Sequence, residues 1–370
     1  MNKRQLILGL VVLVLLVGLG VYGQHRYPIN WREVLSQLER ARLRDFAIGT
    51  GCIFVAFAFR SVRWAGLLKH NKHVPPFSLI GTQVMGFTAI ALIGRVADPV
   101  RPYLVSKKTG LPLSSQFAVY IVERLFDMGS MALIFSVAML WIPESAIVAA
   151  TSHSKIVTTL GQHFPLLATI LARYGGLVFT FSGALFLVAV RLYGQPVAAF
   201  FERTFGLVSK KLGAAVGEKI RTFHSGLDTM RTFSEFAATA ALSLGMWVLI
   251  AFAYFITCKA FTGSPQLAGI TPPKCVLLMI ASGGASIFQL PILGWFTQIL
   301  IVGAALAGFF DVSREASMAC AASLLLVTFL AIIPVGLIWA QFEHVSLRKV
   351  THESEAEEIS VDNPATNAAE

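Results

Sequence analysis

Long apolar runs separated by short basic connections dominate this 370-residue chain. Residues 236–258 and 316–342, for example, contain no Asp, Glu, Lys or Arg. A helix of about 20 apolar residues crosses the ~30 Å hydrocarbon core of a bilayer. The pattern therefore predicts an all-α integral membrane protein, a polytopic helical bundle.

The apolar runs predict six membrane-spanning helices. The first, residues 6–22, follows Lys3 and Arg4 and is interpreted as an uncleaved signal anchor. In the second, we expect Arg60 and Arg63 to extend from the helix end to the membrane surface. The six predicted spans are residues 6–22, 46–68, 113–141, 174–190, 236–258 and 316–342.

Residues 31–44 have a different pattern, in which apolar side chains recur at helical spacing between charged ones. Trp31, Val34, Leu35 and Leu38 fall at i, i+3, i+4 and i+7. This spacing predicts an amphipathic helix that lies on the membrane surface. A helix packed against another protein surface has the same pattern, and the sequence does not separate the two.

Two further apolar stretches do not fit simple spans. The 36 uncharged residues 275–310 would form a helix of about 54 Å at ~1.5 Å per residue, far longer than one crossing. Pro291 and Gly294 interrupt the stretch, which predicts either two spans with a tight turn or a re-entrant hairpin. Residues 74–94 form the other stretch.

The distribution of basic residues favours a re-entrant hairpin at residues 74–110. Residues 60–75 contain four basic residues (Lys or Arg) and no acidic residue. Residues 95–108 contain four basic residues and one acidic residue, and residues 191–231 contain seven basic and three acidic residues. Cytoplasmic connections are enriched in Lys and Arg, and a hairpin over 74–110 puts all three on that side. Both termini are then cytoplasmic in a multi-pass protein of the cytoplasmic membrane. Residues 26–44 contain five arginines and two acidic residues, and this topology places them on the outer side of the membrane, contrary to the expected enrichment of basic residues on the cytoplasmic side.

The order span, hairpin, span occurs twice, at about residues 45–142 and 236–342, and the two copies begin on opposite faces. We therefore predict an inverted repeat, a common arrangement of transporters with broken helices. The expected organisation is an anchor and surface helix (1–44), a transmembrane domain (45–345) and a disordered acidic tail (346–370).

Composition excludes several classes of protein. Apolar residues make up 55% of the chain and charged residues only 14%, with a mean hydropathy of +0.69, which excludes a soluble protein. The formal charge of +10 lies beside membrane segments, so anionic lipid rather than nucleic acid is the expected partner. Four cysteines without a CxxC pair and eight scattered histidines predict neither a metal site nor a cofactor.

Candidate functional residues cluster in the first repeat. Gln116, Tyr120, Glu123, Asp127 and Ser130 recur at helical spacing and predict one polar stripe that faces the bundle interior. In one interpretation Arg124 and Asp127 neutralise each other while Glu123 accepts hydrogen bonds from the hairpin. In the other, the arginines bind a lipid phosphate and the acids orient them. The candidates are Arg95, Asp98, Arg101, Glu123, Arg124 and Asp127.

In the second repeat the candidate residues are uncharged. Gln289, Thr297 and Gln298 surround Pro291 and Gly294. They either satisfy backbone groups freed at a helix break or line the outer half of a head-group path.

Two short motifs resemble the flippase-like family, the membrane domain of lysylphosphatidylglycerol synthases. The first motif begins at Gly94 and includes Asp98 and Arg101. The second consists of Glu123, Arg124 and Asp127. The segment Leu290 to Gly294 with Gln298 is similar to that family's second element. Ala97 and Asp98 stand where the family has Gly-Glu. The resemblance covers most of residues 1–345 and implies lipid translocation without the aminoacyl-transferase domain.

The expected function is therefore the flipping of a phospholipid or lipid-linked intermediate with an anionic or phosphate-containing head group, by a transporter rather than an enzyme. The alternative is a non-transporting subunit that presents lipid to a glycosyltransferase or lipid synthase, and a weaker third possibility is a small-solute transporter. The sequence contains no nucleotide-binding P-loop, so transport would be passive or driven by an ion gradient.

Overall fold

A computed structural model of the chain describes residues 29–142, 165–207, 209–227, 232–285 and 293–343. The predicted signal anchor and acidic tail lie outside these ranges. Every regular element in the described ranges is helical. The helices up to residue 140 are α1 (Trp31–Glu39), α2 (Leu43–Leu68), α3 (Ile80–Ile93), α4 (Val100–Thr109) and α5 (Leu113–Leu140). Those that follow are α6 (Pro165–Gly206), α7 (Lys210–Leu227), α8 (Phe233–Lys259), α9 (Pro272–Ala285), α10 (Leu293–Phe310), α11 (Arg314–Leu325) and α12 (Ile332–Phe342).

Four helical segments in the described ranges have the length and composition of membrane spans, which confirms an integral membrane fold. Leu43–Leu68, Pro76–Ile93, Phe233–Lys259 and Arg314–Phe342 are each long and apolar enough to cross a bilayer. The last is α11 and α12 joined by one π-helical turn, Leu326–Leu330. Helix α5 has 28 residues and is also long enough, although it carries three charged side chains.

The α3–α4 hairpin returns to the end of the bundle at which it begins. The ammonium group of Lys72, before the hairpin, donates a hydrogen bond of 2.6 Å to the backbone oxygen of Thr109, after it. Helix α4 has ten residues, about 15 Å, which is half the thickness of the hydrocarbon core. Lys108 also pairs with Glu343 at 2.7 Å, so we name this side of the molecule the Lys108 end.

Glycines form the two corners of this hairpin. Gly94 ends α3 with φ of 91°, and Gly110 ends α4 with φ of 69°. Side chains with a Cβ rarely adopt this backbone region, whereas glycine does so without strain. The chain therefore reverses direction where the sequence supplies glycine.

The α9–α10 hairpin begins and ends at the opposite side. There the backbone N–H of Arg42 bonds to the oxygen of Ala260 at 3.0 Å, and we name this the Ala260 end. Ile270, before α9, and Val312, after α10, pack in one apolar cluster with Ala260. Near the middle of the bundle, the indole N–H of Trp295 donates to the oxygen of Ala91 at 3.1 Å and joins the two hairpins.

The two repeats make equivalent helix contacts, so exchanging one repeat for the other leaves the pattern of helix packing approximately unchanged. The first helices of the repeats, α2 and α8, pack against each other. The first hairpin packs on α12 of the other repeat, and the second hairpin packs on α5. Gly81 lies against Trp339, and Gly336 against Thr88, so α3 and α12 approach closely. The arrangement is that of an inverted repeat, with hairpins from opposite ends.

Helices α6 and α7 lie outside the two repeats. The simple span predicted over residues 174–190 is instead part of a bent element, in which Tyr174–Gly183 and Val188–Gly206 differ in direction by 65°. Tyr193 has non-helical torsions, and Pro196 follows it. Proline removes a backbone donor and its ring collides with the preceding turn, which accounts for the interruption at Tyr193.

Helix α1 is shorter than the predicted amphipathic segment and ends at Glu39. The side chain of Asn30 caps its first turn by accepting from the backbone N–H of Glu33 at 3.3 Å. Val34 is buried where α1 packs on α11, whereas Trp31 and Leu35 remain exposed. The helix therefore combines the two expected arrangements, with one apolar edge on the protein and another free.

Candidate functional site

The polar stripe of α5 faces the interior of the bundle, as its spacing predicted. Gln116, Glu123, Asp127 and Ser130 are buried. The indole N–H of Trp64 on α2 donates to Gln116 Oε1 at 3.1 Å. Two carboxylates thus lie within the membrane-spanning part of the fold, where an isolated charge is costly and a cationic partner is required.

Arg60 and Arg63 of α2 supply that partner, and the expectation that they extend to the membrane surface was wrong. Both are buried. The guanidinium of Arg63 lies 2.6 Å from Asp127 Oδ1 and 2.7 Å from Glu123 Oε1. Arg60 lies 3.1 Å from Glu123 and 3.4 Å from Asp127. Helix α2 continues to Leu68, so these residues sit inside the helix beside α5 and not at its end.

Arg101 joins the first hairpin to the same carboxylates. Its guanidinium donates to Gln83 Oε1 at 2.8 Å and to both oxygens of Glu123 at 2.8 and 2.7 Å. The guanidinium also lies over the ring of Phe87. A Cβ at Gly86 would collide with the aliphatic part of Arg101, so glycine gives the side chain its space. Glu123 therefore accepts hydrogen bonds from the hairpin, as one interpretation of the sequence held.

Arg124 has the longest ion-pair separation among the four arginines of this network. It lies 3.9 Å from Asp127, a much longer separation than that of Arg63. Its Nε and Nη2 atoms are buried and make no hydrogen bond within the described residues; Arg63 and Arg101 also have such atoms, but only Arg124 of the three lines the cavity described below. The expected mutual neutralisation of Arg124 and Asp127 is therefore a minor contact, because Asp127 binds Arg63 instead.

A cavity of about 460 Å³ lies beside the network, between the two hairpins. The first repeat gives it a charged wall, formed by Arg60, Arg95, Asp98, Arg124 and Asp127. Arg95 and Asp98 follow the break at Gly94 and are 3.9 Å apart. Arg101 is fully buried and does not line the cavity. The structure thus brings all six first-repeat candidates together but separates Arg101 from the space that a ligand would occupy.

The second repeat gives the cavity an uncharged wall. Gln298 lines it and donates to the hydroxyl of Ser282 at 2.6 Å. Gly294 is buried at the start of α10. Gln289 and Pro291, the other second-repeat candidates, lie outside the described residues. Met128, which lines the cavity from α5, is 69% exposed, so the cavity reaches the lateral surface of the bundle.

Positive charge exceeds negative charge in and around the cavity. Five arginines accompany three carboxylates in the network and the cavity wall, namely Arg60, Arg63, Arg95, Arg101 and Arg124 with Asp98, Glu123 and Asp127. Low dielectric strengthens the field of the excess charge. The site therefore favours an anionic ligand.

Sequence reasoning missed Arg60, Arg63 and Gln83 as members of the site. One signal was available: two carboxylates in the middle of a predicted span required buried cations, and Arg60 and Arg63 lie on the adjacent span at helical spacing. The apolar run before them ended at Phe59, which favoured placement at the membrane surface. Nothing in the sequence indicated Gln83.

The cysteines come closer together than their sequence positions suggested. The sulfur atoms of Cys258 and Cys320 are 3.7 Å apart, and all four cysteines are free thiols. Across the described ranges, no three His, Cys, Asp or Glu side chains are arranged to hold a metal ion.

Comparison with known proteins places this fold in a family. The model of the lysylphosphatidylglycerol synthase transmembrane region matches residues 6–336. A UPF0104 membrane protein of Methanothermobacter thermautotrophicus is 25% identical over 353 residues, covering 92% of this chain and 93% of that protein. The chain therefore belongs to the lysylphosphatidylglycerol synthase transmembrane region family.

Proposed function

We propose that this protein moves a phospholipid or lipid-linked intermediate with an anionic head group between the leaflets of the cytoplasmic membrane. One observation carries the proposal: Arg124 has two buried donor atoms without a hydrogen-bond partner among the described residues, and it lines the central cavity. A guanidinium presents parallel N–H groups that match two oxygens of a phosphate. Arg124 binds the phosphate, and Arg95 and Arg60 add positive charge.

The cavity is suited to a lipid head group and not to a whole lipid. Its volume of about 460 Å³ lies within the range of small-molecule sites. Its opening beside the exposed Met128 leaves the acyl chains in the bilayer while the head group enters. This lateral opening also supports a lipid substrate over a small solute.

The two hairpins supply the elements that alternate access. They begin at opposite ends of the bundle and meet where Trp295 bonds to Ala91. In transporters with inverted repeats, movement of one repeat against the other exposes a central site to each side in turn. Glu123 and Asp127 hold Arg60, Arg63 and Arg101 in position during this movement. Passage is passive or coupled to an ion gradient.

The Lys108 end faces the cytoplasm in this proposal. Lys69, Lys72 and Lys108 lie at that end, in agreement with the enrichment of cationic residues on the cytoplasmic side. Both termini are then cytoplasmic. At the opposite end Asp45 pairs with Arg42 at 3.2 Å and Arg44 at 3.6 Å, which offsets part of the positive charge there.

Reconstitution into vesicles tests the proposal. Fluorescent phosphatidylglycerol is incorporated in both leaflets, and a membrane-impermeant reductant reports its exchange. We expect Arg124→Ala to reduce transport at least tenfold at unchanged thermal stability. The matched control is Arg221→Ala, whose arginine pairs with Glu202 at 3.0 Å away from the cavity.

Two results would overturn the transport proposal. If wild-type protein binds lipid at the cavity but never exchanges it, the alternative of a subunit that presents lipid to a lipid-modifying enzyme is supported. If Arg124→Ala and Arg221→Ala transport equally well, Arg124 is not the phosphate ligand.

A further inference from the structure

The uncharged wall of the cavity contains hydrogen-bonding groups that phosphate binding does not use. They come from α8, α9, α10 and the π-helical turn before α12, all in the second repeat. No Asp, Glu, Lys or Arg of residues 232–285 or 293–343 lines the cavity. The wall therefore offers neutral donors and acceptors opposite the arginines.

Trp247 provides one unsatisfied donor on this wall. Its indole Nε1 atom is buried and makes no hydrogen bond within the described part of the chain. A buried donor without a partner costs free energy, commonly about 1–3 kcal/mol, unless a ligand or water accepts from it. Trp247 lines the cavity, and a ligand oxygen that accepts from its Nε1 atom there would remove that penalty.

A chain of hydroxyl and amide groups continues the wall from Trp247. Tyr254, Ser282 and Thr328 contribute hydroxyl groups to this wall. Ser282 accepts from the side-chain amide of Gln298 at 2.6 Å. Each of these side chains lines the cavity. Hydroxyl groups donate and accept, so this chain matches a ligand that itself carries hydroxyl groups.

An amine on the head group is less well matched by the cavity. The two carboxylates in the cavity wall, Asp98 and Asp127, already have arginine partners at 3.9 and 2.6 Å. Further positive charge would also meet the arginine excess. Neutral hydroxyl groups avoid this repulsion and still occupy the second-repeat wall.

We propose that the second-repeat wall is a hydroxyl-recognition subsite, so that the substrate is an anionic phosphodiester lipid whose head group carries two or more free hydroxyl groups. The inference rests on the proposed binding of the phosphate at Arg124 and names the class of head group. Glycerol and inositol head groups share this chemistry. Phosphatidylethanol is the matched ligand without it, because it keeps the phosphodiester and its charge but has no hydroxyl group.

The test compares fluorescent phosphatidylglycerol, phosphatidylinositol and phosphatidylethanol in vesicles containing the full chain. Sites that hydrogen-bond a substrate hydroxyl discriminate strongly against the analogue that lacks it. We expect wild-type protein to transport phosphatidylglycerol at least tenfold faster than phosphatidylethanol, and the phosphatidylinositol arm shows whether a cyclic polyol is accepted. Binding is measured separately, as the rise in thermal midpoint that each lipid causes in detergent.

Two conservative substitutions remove the hydrogen-bonding groups and keep an aromatic side chain at each position, and the thermal midpoint of the variant without lipid shows whether it is folded. Trp247→Phe with Tyr254→Phe should slow phosphatidylglycerol at least tenfold more than it slows phosphatidylethanol, so that the two rates become similar. The control is Trp141→Phe, at an exposed position outside the cavity. Equal wild-type transport of phosphatidylglycerol and phosphatidylethanol, or equal slowing of both by the double variant, overturns the subsite.

The binding measurement separates this inference from the transport proposal. Selective stabilisation by phosphatidylglycerol without transport retains the subsite and refutes flipping. Equal stabilisation by the two lipids, with transport intact, retains flipping and refutes the subsite.

Discussion

Replacing Asp127 with alanine should destabilise the protein mainly through Arg63. The guanidinium of Arg63 lies 2.6 Å from Asp127 and is buried, whereas Arg124 is 3.9 Å away with a side chain that is 35% exposed. Removal of one partner leaves the other charge buried without compensation, and this costs about 3–5 kcal/mol. Arg63 keeps Glu123 at 2.7 Å, so we expect the lower part of that range.

The expected loss is therefore about 3 kcal/mol. In a chain of this size, 1 kcal/mol corresponds to roughly 2 °C in thermal midpoint, so the midpoint should fall by about 6 °C. The assay is thermal unfolding in detergent, followed by tryptophan fluorescence. A surface pair provides the control: Arg221→Ala should cost less than about 1 kcal/mol, since exposed ion pairs contribute little.

Double variants identify the partner of Asp127. Adding Arg63→Leu to Asp127→Ala should recover at least half of the lost stability, because replacing a whole buried pair by apolar groups is often neutral. Adding Arg124→Ala should recover none. Recovery with Arg124→Ala but not with Arg63→Leu would refute the assignment of the pair.

Three further predictions follow from the first hairpin and its surroundings. Arg101→Lys should lower the thermal midpoint and transport together, because the ammonium group of lysine does not reproduce the planar guanidinium that bonds to Gln83 and both oxygens of Glu123. Transport loss at unchanged stability would instead indicate direct substrate contact. Gly94→Ala should destabilise by about 1–3 kcal/mol owing to the φ of 91°, and an unchanged midpoint in the same assay would contradict that backbone. Single cysteines at positions 69 and 108 should react with a membrane-impermeant thiol reagent from the same side of the membrane, and a single cysteine at position 44 should react from the other side. Labelling of positions 69 and 108 from opposite sides would contradict the re-entrant hairpin.

The sequence predicted the elements whose pattern is local. Helical spacing alone predicts the buried stripe on α5, including Gln116, Glu123 and Asp127, without knowledge of their partners. The distribution of Lys and Arg predicted the first hairpin. These signals are physical properties of one segment and one membrane, so they can be read without tertiary contacts.

Features that depend on contacts between distant segments could not be predicted. Arg63 and Asp127 are separated by 64 residues in the sequence, and their pairing requires the packing of α2 beside α5. The separation of Arg101 from the cavity depends on the space left by Gly86 on α3. The non-helical torsions of Tyr193 in α6 have a local cause in Pro196, which lies beyond the predicted span of residues 174–190, whereas the apolar run gave no signal for the 65° bend between Gly183 and Val188.

The most direct test of the account is to block the cavity while transport is measured. In a Cys52→Ser background, the cysteine introduced by Met131→Cys is modified with a small thiol-reactive thiosulfonate that attaches a sulfonate group. Mass spectrometry confirms the adduct. Met131 lines the cavity, whereas Val137 lies on an exposed part of the same helix outside it. The account predicts that the adduct at 131 reduces transport of phosphatidylglycerol to the protein-free rate, that reduction restores it, and that the adduct at 137 has no effect. Transport that continues with a fully modified cysteine at 131 would contradict the claim that head groups pass through this cavity.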